Sequence, residues 1–259
     1  MELNTLLYEK ENHVGIITLN RPKAFNALND ELMAELGQLI DSIGADDEVK
    51  AVILTGGPRV FAAGGDIAFM INADPLKAEA FIALCHETID KIANLEKPVV
   101  AAIAGMALGG GCELALGCDI RIATEKTLLG QPEINLGIMP GAGGTQRLSR
   151  VVGAGWAKHL ILTGDNINAE KALSIGLITA IVPADNLMDE AKKIAAKLAG
   201  KGQIAMRMAK KCIDYGLNVD LPSGLLFEQK AWAFLFATED QTEGMKAFIE
   251  KRKPVFKGK

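Results

Sequence analysis

The sequence has few residues of the kinds that bind transition metals. Its four cysteines, Cys85, Cys112, Cys118 and Cys212, never occur in CxxC spacing, and its three histidines are scattered along the chain. Structural zinc sites need clustered cysteine and histidine ligands. The sequence therefore predicts no metal site, and the cysteines are expected to be free thiols in a reducing compartment.

Long apolar runs and a basic surplus are also missing. The apolar run 99–108, broken by Gly105, is far shorter than the ~20 residues that span a bilayer. The N-terminal MELNTLLYEKENHVG resembles neither a signal peptide nor a transit peptide. A formal net charge of -4 argues against a surface that collects phosphate backbones. We therefore expect a cytoplasmic protein that binds neither membrane nor nucleic acid.

The first half of the sequence alternates β-rich and helical patterns. Apolar runs predict strands over 14–20, 49–56 and 98–105. Between them, 3.6-residue periodicity predicts a helix capped by Asn29 and a second helix over 76–94. Continuous apolar strands separated by helices indicate a parallel sheet covered on both faces. Further short strands are predicted in DIRIA, TLLG and LITAIVP.

The last quarter of the sequence is helical. Helices are predicted around 185–199, 203–216 and 222–236, and a last one begins at Thr238, with Gln241 completing a capping box. We expect an α/β core with the active site over 1–195 and a helical region over 196–259. That region is too thin to hold a core of its own, which indicates an oligomer.

The stretch ALGGGCELAL, residues 107–116, places three glycines and a carboxylate in the most apolar part of the chain. Gly109 to Gly111 follow a strand and precede a helical run, so their unpaired N–H groups can face a ligand. Glu113 lies in the first turn of that helix. The alternatives are a turn packed for steric reasons and a glutamate that faces water. The GxGxxG dinucleotide fingerprint is absent, since position 114 is leucine.

Two further motifs extend this pattern. Glu133 lies in GQPEINLGIMPGAGG, a proline- and glycine-rich loop, and could converge with Glu113 on one water molecule. FAAGGDI, residues 61–67, supplies Gly65 with an open N–H and Asp66 as a helix cap. If the turns at Gly65 and Gly110 lie at neighbouring strand ends, their N–H groups can form an oxyanion hole.

These motifs together resemble a known family. The stretches that carry the resemblance are, in chain order, NRPKAFNAL, FAAGGDI, KPVVAAIAGMALGGGCELALGCDIRIA, GQPEINLGIMPGAGGTQRL and TEDQTEGMKAFIEKRKPVF. They are similar, in the same order, to the crotonase (enoyl-CoA hydratase) superfamily, and closest to its bacterial short-chain enzymes. The resemblance implies an α/β crotonase (ClpP-like) spiral of ββα repeats with a helical C-terminal trimerisation region. It also implies a homo-oligomer, usually a hexamer built as a dimer of trimers.

The resemblance assigns roles to the catalytic candidates. The N–H groups of Gly65 and Gly110 would hold the thioester oxygen of an acyl-CoA, although family hydratases often have alanine at the position of Gly65. Glu113 would activate the water as a base, and Glu133 would protonate C2 as an acid. Coenzyme A belongs to the substrate, and no other cofactor is expected. The residues expected to bind it are Lys23, Ala24, Ala62, Gly64, Asp66, Ile67, Gly141, Phe248 and Lys251, the last two from the same or a neighbouring subunit.

The expected reaction is the reversible hydration of trans-2-enoyl-CoA to (3S)-3-hydroxyacyl-CoA, on crotonyl-CoA above all, in fatty-acid oxidation or butyrate-type metabolism. Two carboxylates at hydratase-like positions favour it over the isomerase, hydrolase and decarboxylase reactions of relatives. Those reactions stay open, as does a non-catalytic RNA-binding role, against which the acidic balance weighs. The acyl pocket is expected to be walled by Met70, Ile71, the helix after Pro75, Leu136 and Met139.

Overall fold

The structure, a computed structural model, describes residues 3–259. The chain divides into two compact units, one that ends at Ala195 and one formed by Ala196–Lys259. The strands, all in the first unit, are β1 (Leu6–Glu11), β2 (Val14–Leu19), β3 (Ala51–Thr55), β4 (Val99–Ile103), β5 (Met106–Leu108), β6 (Ile120–Thr124), β7 (Leu128–Gly130), β8 (Asn166–Asn168) and β9 (Ala180–Val182).

Helices cover the sheets and form most of the second unit. They are α1 (Asp30–Ala45), α2 (Ile67–Met70), α3 (Pro75–Asn94), α4 (Gly110–Leu116), α5 (Gly144–Thr163), α6 (Ala169–Ser174), α7 (Leu187–Ala199), α8 (Gln203–Gly216), α9 (Leu221–Leu235) and α10 (Glu239–Ile249). Short 3-10 segments cover Pro22–Ala24, Pro132–Leu136 and Ala184–Asn186.

The larger sheet has the strand order β1-β2-β3-β4-β6-β9. Only the β1–β2 pair is antiparallel among these neighbours. Every residue of β3 and β4 is buried, as expected of central strands covered on both faces. The predicted parallel α/β core is thus confirmed. So is the first predicted helix, whose Asn29 side chain accepts a hydrogen bond from the Leu32 N–H at 3.1 Å.

A smaller sheet, with strand order β5-β7-β8, carries the glycine-rich turn. The predicted strand over 98–105 was wrong at its end, because β4 stops at Ile103 and the chain turns at Gly105 into the second sheet. Gly105 has φ of 66°, and a Cβ there would lie 2.0 Å from the Arg59 carbonyl oxygen. β5 then leads directly into α4.

Several elements of the first unit are not predicted from the sequence: β1, β5, β8, α5 and α6. The largest is α5, in which Gly153 has φ of 79° and interrupts the helical geometry. Gly144 and Gly155 also lie in this helix, and glycine lowers helix propensity, so the local signal is weak. Tertiary contacts therefore decide the helix there.

The second unit is a small set of helices in which α8 packs against α9. Thr238 caps α10 by accepting from the Gln241 N–H at 3.2 Å, whereas the Gln241 side chain donates to the Met245 sulfur, so the predicted capping box is half formed. Asp240 holds the chain terminus by accepting from the N–H groups of Lys257 (2.7 Å) and Gly258 (2.9 Å). Across residues 3–259, every helix is too short or too polar to cross a membrane.

Candidate active site

A cavity of about 350 Å³ in the first unit brings the predicted catalytic residues together. Gly65, Gly110, Glu113 and Glu133 all line it, and so does Gly141. They come from four separate chain segments: the turn before α2, the first turn of α4, the 3-10 segment after β7 and the loop before α5. The convergence that spacing alone left open is therefore present in the fold.

Two backbone amides face one side of this cavity. A parallel bridge joins Leu28 to Gly65, in which Leu28 donates to the Gly64 carbonyl (2.7 Å) and accepts from the Asp66 N–H (2.8 Å). This pairing turns the Gly65 N–H away from Leu28. Gly110 is the first residue of α4, so its N–H has no partner within the helix. Within residues 3–259, neither amide has a hydrogen-bond acceptor.

The two amides lie close together, and glycine at position 110 leaves the space beside the Gly65 amide open. The place that a Cβ would occupy on Gly110 is 3.5 Å from the Gly65 nitrogen. Gly109 caps α4 with φ of 50°, and a Cβ there would lie 2.8 Å from Glu133 Oε1. The glycines of this turn therefore leave room for a ligand oxygen and for the Glu133 carboxylate.

Glu113 is 2% exposed, yet its carboxylate is well supported. Its Oε1 accepts hydrogen bonds from the N–H groups of Ala142 (2.8 Å) and Gly144 (2.7 Å), and Gly144 begins α5. The positive end of that helix favours the charge. Burial raises the pKa of Glu113 to about 7, and Glu133 adds to this rise, while the two N–H groups and Arg147 oppose it. Glu113 is thus poised to exchange a proton near neutral pH.

Glu133 lies on the 3-10 segment and lines the same cavity, and burial also raises the pKa of its carboxyl. Gln131, two residues earlier, is fully buried. The hydrogen-bonding requirements of the Gln131 amide and its neighbours are met when the amide nitrogen faces Glu133. In this orientation the nitrogen donates at 3.0 Å to Oε1 and at 3.2 Å to Oε2. Gln131 was missed from sequence because its partner is set by the turn between the two residues.

The rest of the cavity wall is apolar. Met70 and Met139, both predicted, line it, whereas the predicted Ile71 and Leu136 are 74% and 57% exposed and lie outside the lining found among residues 3–259. The helix after Pro75 contributes as predicted. Its lining residues are Ala78, Phe81, Ile82 and Cys85. Such a wall suits a hydrocarbon chain beside the polar groups.

Two polar residues that sequence reasoning missed hold the Gly65 segment in place. The buried Asn26 amide donates to the carbonyls of Gly56, Val60 and Phe61, each at 3.1 Å. Arg21 pairs with Asp66 at 2.9 Å, and Asp66 caps α2 as predicted. Arg21 and Asn26 both lie in the NRPKAFNAL motif, for which the sequence predicted no role for these two side chains.

The residues predicted to bind coenzyme A are spread over both units. In the first unit, Lys23 and Ile67 are exposed, and Ala24 is half-buried. Gly64 and Ala62 are buried, and the Ala62 N–H is bonded to Met106. In the second unit, Phe248 is 85% exposed near the end of α10, and Lys251 follows that helix. These assignments stay predictions.

The described residues 3–259 contain no cluster of three or more His, Cys, Asp or Glu side chains placed to hold a metal ion. The cavity instead combines two free amide donors and two carboxyls whose pKa values burial raises. Such donors can stabilise an oxyanion, and such carboxyls can give and take protons.

Known proteins with similar sequences and structures bear on this arrangement. The family model described as enoyl-CoA hydratase/isomerase matches residues 9–259. The short-chain-enoyl-CoA hydratase of Clostridium acetobutylicum is 49% identical over 98% of this chain and 97% of its own length. The crotonyl-CoA hydratase of Syntrophomonas wolfei is 46% identical over 99% of both chains. The crystal structure of an enoyl-CoA hydratase from Bacillus anthracis superposes with a TM-score of 0.96 at 41% identity, over 99% of this chain and 100% of that one.

Proposed function

The chain belongs to the enoyl-CoA hydratase/isomerase family, and we propose that it hydrates trans-2-enoyl-CoA thioesters reversibly to (3S)-3-hydroxyacyl-CoA. Its fold is the α/β fold of the crotonase superfamily. The observation that carries the proposal is the convergence of two free amides and two glutamates on one cavity. Relatives named short-chain-enoyl-CoA hydratase and crotonyl-CoA hydratase support a short acyl chain.

The amide pair acts on the thioester oxygen. When a nucleophile adds to C3, negative charge moves through the double bond onto this oxygen and forms an enolate. The N–H groups of Gly65 and Gly110 donate to it and stabilise the charge as it develops. Because both donors belong to a fixed backbone, little reorganisation is needed at the moment of reaction.

The two glutamates act on the water and on C2. Ionised Glu113 accepts one proton from the water as its oxygen bonds to C3. Protonated Glu133 gives its proton to C2 of the enolate, which restores the thioester carbonyl. After this step Glu113 is protonated and Glu133 is ionised, so one proton returns from Glu113 to Glu133 before the next turnover. No cofactor other than the coenzyme A of the substrate takes part.

The second unit supports a homo-oligomer, for which a hexamer built as a dimer of trimers is proposed. Large apolar side chains are exposed along its helices: Ile213, Leu217, Leu221, Leu225, Leu226, Trp232, Phe234, Phe236, Met245, Phe248 and Ile249. Patches of this kind mark association surfaces. Phe248 and Lys251 are proposed to cover the adenine and phosphates of coenzyme A. Sedimentation equilibrium measures the assembly, and a monomer would contradict it.

The proposed setting is the cytoplasm, in fatty-acid oxidation or butyrate-type metabolism. All four cysteines are free thiols, and Cys85, Cys112 and Cys118 are buried. Free thiols suit a reducing compartment.

Glu133→Gln tests the assignment because it removes the proposed acid while keeping the side-chain size. With crotonyl-CoA we expect turnover to fall by about 100- to 10,000-fold, since general acid catalysis contributes that much. Binding of the thioester, measured by calorimetry, should persist. Mass spectrometry of the product separates hydration, which adds the mass of one water, from isomerisation, which adds none.

The matched control is Glu125→Gln, an exposed glutamate outside the cavity. It should hydrate crotonyl-CoA at the parent rate. Parent-level hydration by Glu133→Gln would contradict the role of this residue, and a parent enzyme that leaves crotonyl-CoA unhydrated would contradict the function.

A further inference from the structure

Gln131 is a buried polar side chain that the reaction steps above do not use. It is 0% exposed and directly precedes the 3-10 segment that carries Glu133. A buried amide costs free energy unless its donors and acceptors are satisfied. Its partners therefore indicate what it does.

The partner of its nitrogen is the Glu133 carboxylate, at 3.0 and 3.2 Å from the two oxygens. The opposite amide orientation would set oxygen against oxygen on this side and nitrogen against donors on the other. The surroundings thus fix a donor, rather than an acceptor, toward Glu133. Hydrogen bonds to charged groups are among the stronger ones in proteins.

The other groups around Glu133 do not replace this donor. Glu113 and Cys112, both on α4, interact electrostatically with Glu133, and a negative charge on either disfavours a negative Glu133. Arg147 on α5 offsets the charge of Glu113. The N–H of Glu133 itself also donates to its carboxylate. Among these groups, Gln131 is the neutral side chain that donates a hydrogen bond to Glu133.

We propose that Gln131 is a positioning residue that fixes the Glu133 carboxyl against the cavity and stabilises its ionised form as the proton leaves for C2. The inference rests on the proposed hydration. In the forward direction the amide favours the state reached after proton transfer. In the dehydration direction it orients the ionised carboxylate that removes the C2 proton. The amide itself neither gains nor loses a proton.

Gln131→Met tests the proposal, because methionine has a similar length and lacks the N–H donors. We expect kcat/KM for crotonyl-CoA to fall by about 10- to 100-fold, the range of one hydrogen bond to a charged group. The alkaline limb of the pH profile, where Glu133 loses its proton, should move to higher pH, because the ionised form has lost its donor. Thioester affinity should stay at the parent value.

Gln131→Glu is the second variant and gives an opposite pH response. Its carboxyl can donate to Glu133 only when protonated, and when ionised it repels Glu133. Relative to Gln131→Met, its activity should therefore recover as the pH falls. A merely structural role for Gln131 would predict no such recovery.

Thr88→Val is the control for lost stability. Thr88 is buried, donates one hydrogen bond to the Met33 carbonyl at 2.9 Å, and is not among the residues that line the cavity. It should lower the melting temperature but keep the parent pH profile. Unchanged kcat/KM and an unchanged alkaline limb in Gln131→Met, with a parent that hydrates crotonyl-CoA, would overturn this inference and leave the proposed function intact. If Gln131→Met fails to fold, Gln131→Glu decides: a pH profile that matches the parent overturns the inference.

Discussion

The two carboxylates that line the cavity are held by different kinds of structure. Glu113 lies in the first turn of α4 and is fixed by two backbone N–H groups at the start of α5. Glu133 lies on a 3-10 segment, is less buried, and receives its side-chain donors from Gln131. Apart from proline, a substitution at Ala142 or Gly144 leaves the backbone N–H donor in place, whereas a substitution at Gln131 can delete the side-chain amide. The Glu133 carboxyl should therefore be the more easily misplaced by mutation, although both carboxyls are proposed to act in the reaction.

The largest expected effect comes from removing the carboxyls themselves. Glu113→Gln should lower turnover of crotonyl-CoA by about 100- to 10,000-fold, as expected for loss of a general base. The double variant with Glu133→Gln should lose little more than either single variant, because residues that act as a unit are not additive. Steady-state rates of the three variants give this measurement. Losses that simply multiply would show that the two glutamates act independently.

A smaller loss of activity is expected from a substitution that crowds only the Glu133 carboxylate. In Gly109→Ala the new Cβ would lie 2.8 Å from Glu133 Oε1, on a residue with φ of 50°. We expect kcat to fall by about 100-fold from the displaced carboxyl, and stability to fall by about 1–2 kcal/mol from the strained backbone. Kinetics and chemical denaturation measure the two effects separately.

Gly176→Ala separates strain from crowding. Gly176 also has positive φ, at 79°, but a Cβ there would have no neighbour within 4 Å among the described residues. It should lose stability to a similar extent and keep its activity. Equal kinetic damage in both variants would mean that backbone strain alone explains Gly109→Ala.

The smallest effect concerns the charge around Glu113. As the proposed base, Glu113 must be ionised to accept a proton, and burial raises its pKa to about 7, so kcat/KM should fall as the pH drops below that value. Arg147 opposes the raised pKa, so Arg147→Gln should raise it further and move the acid limb to higher pH. Near neutral pH we expect a loss of about two- to fivefold, because Arg147 is partly exposed and paired with Asp90.

Arg150→Gln is the matched control on the same helix, since Arg150 is exposed and bonds to Gln146 one turn away. Its pH profile should equal that of the parent. High salt should shrink the Arg147→Gln difference. An acid limb that does not move would contradict the electrostatic link to Glu113.

The sequence predicted the parts of this molecule whose signal is local. Continuous apolar strands predicted the parallel core, Asn29 predicted the start of α1, and the order of the motifs predicted the family. Glu113 and Glu133 were identified because carboxylates are unusual in apolar, glycine-rich stretches. Their presence in one cavity depended on the whole sheet and needed the structure.

What the sequence could not predict depends on contacts between distant segments. Asn26 bonds to carbonyls 30 to 35 residues away, and the Ala142 and Gly144 donors of Glu113 lie 29 and 31 residues from it. The strand predicted over 98–105 ended early because a carbonyl of another loop lies against Gly105. Contacts between such distant residues produce no periodic pattern in the sequence.

The first turn of α4 carries the proposed oxyanion donor, Gly110, and the proposed base, Glu113, three residues later. A helix advances 1.5 Å per residue, so the Cα atoms of these two residues are separated by about 4.5 Å along the axis, and positions three apart lie on one face. This turn would therefore set the spacing between the thioester carbonyl oxygen and the carbon that is attacked. We therefore expect a thioester whose double bond is displaced by one carbon to react poorly, even when its acyl chain fits the cavity.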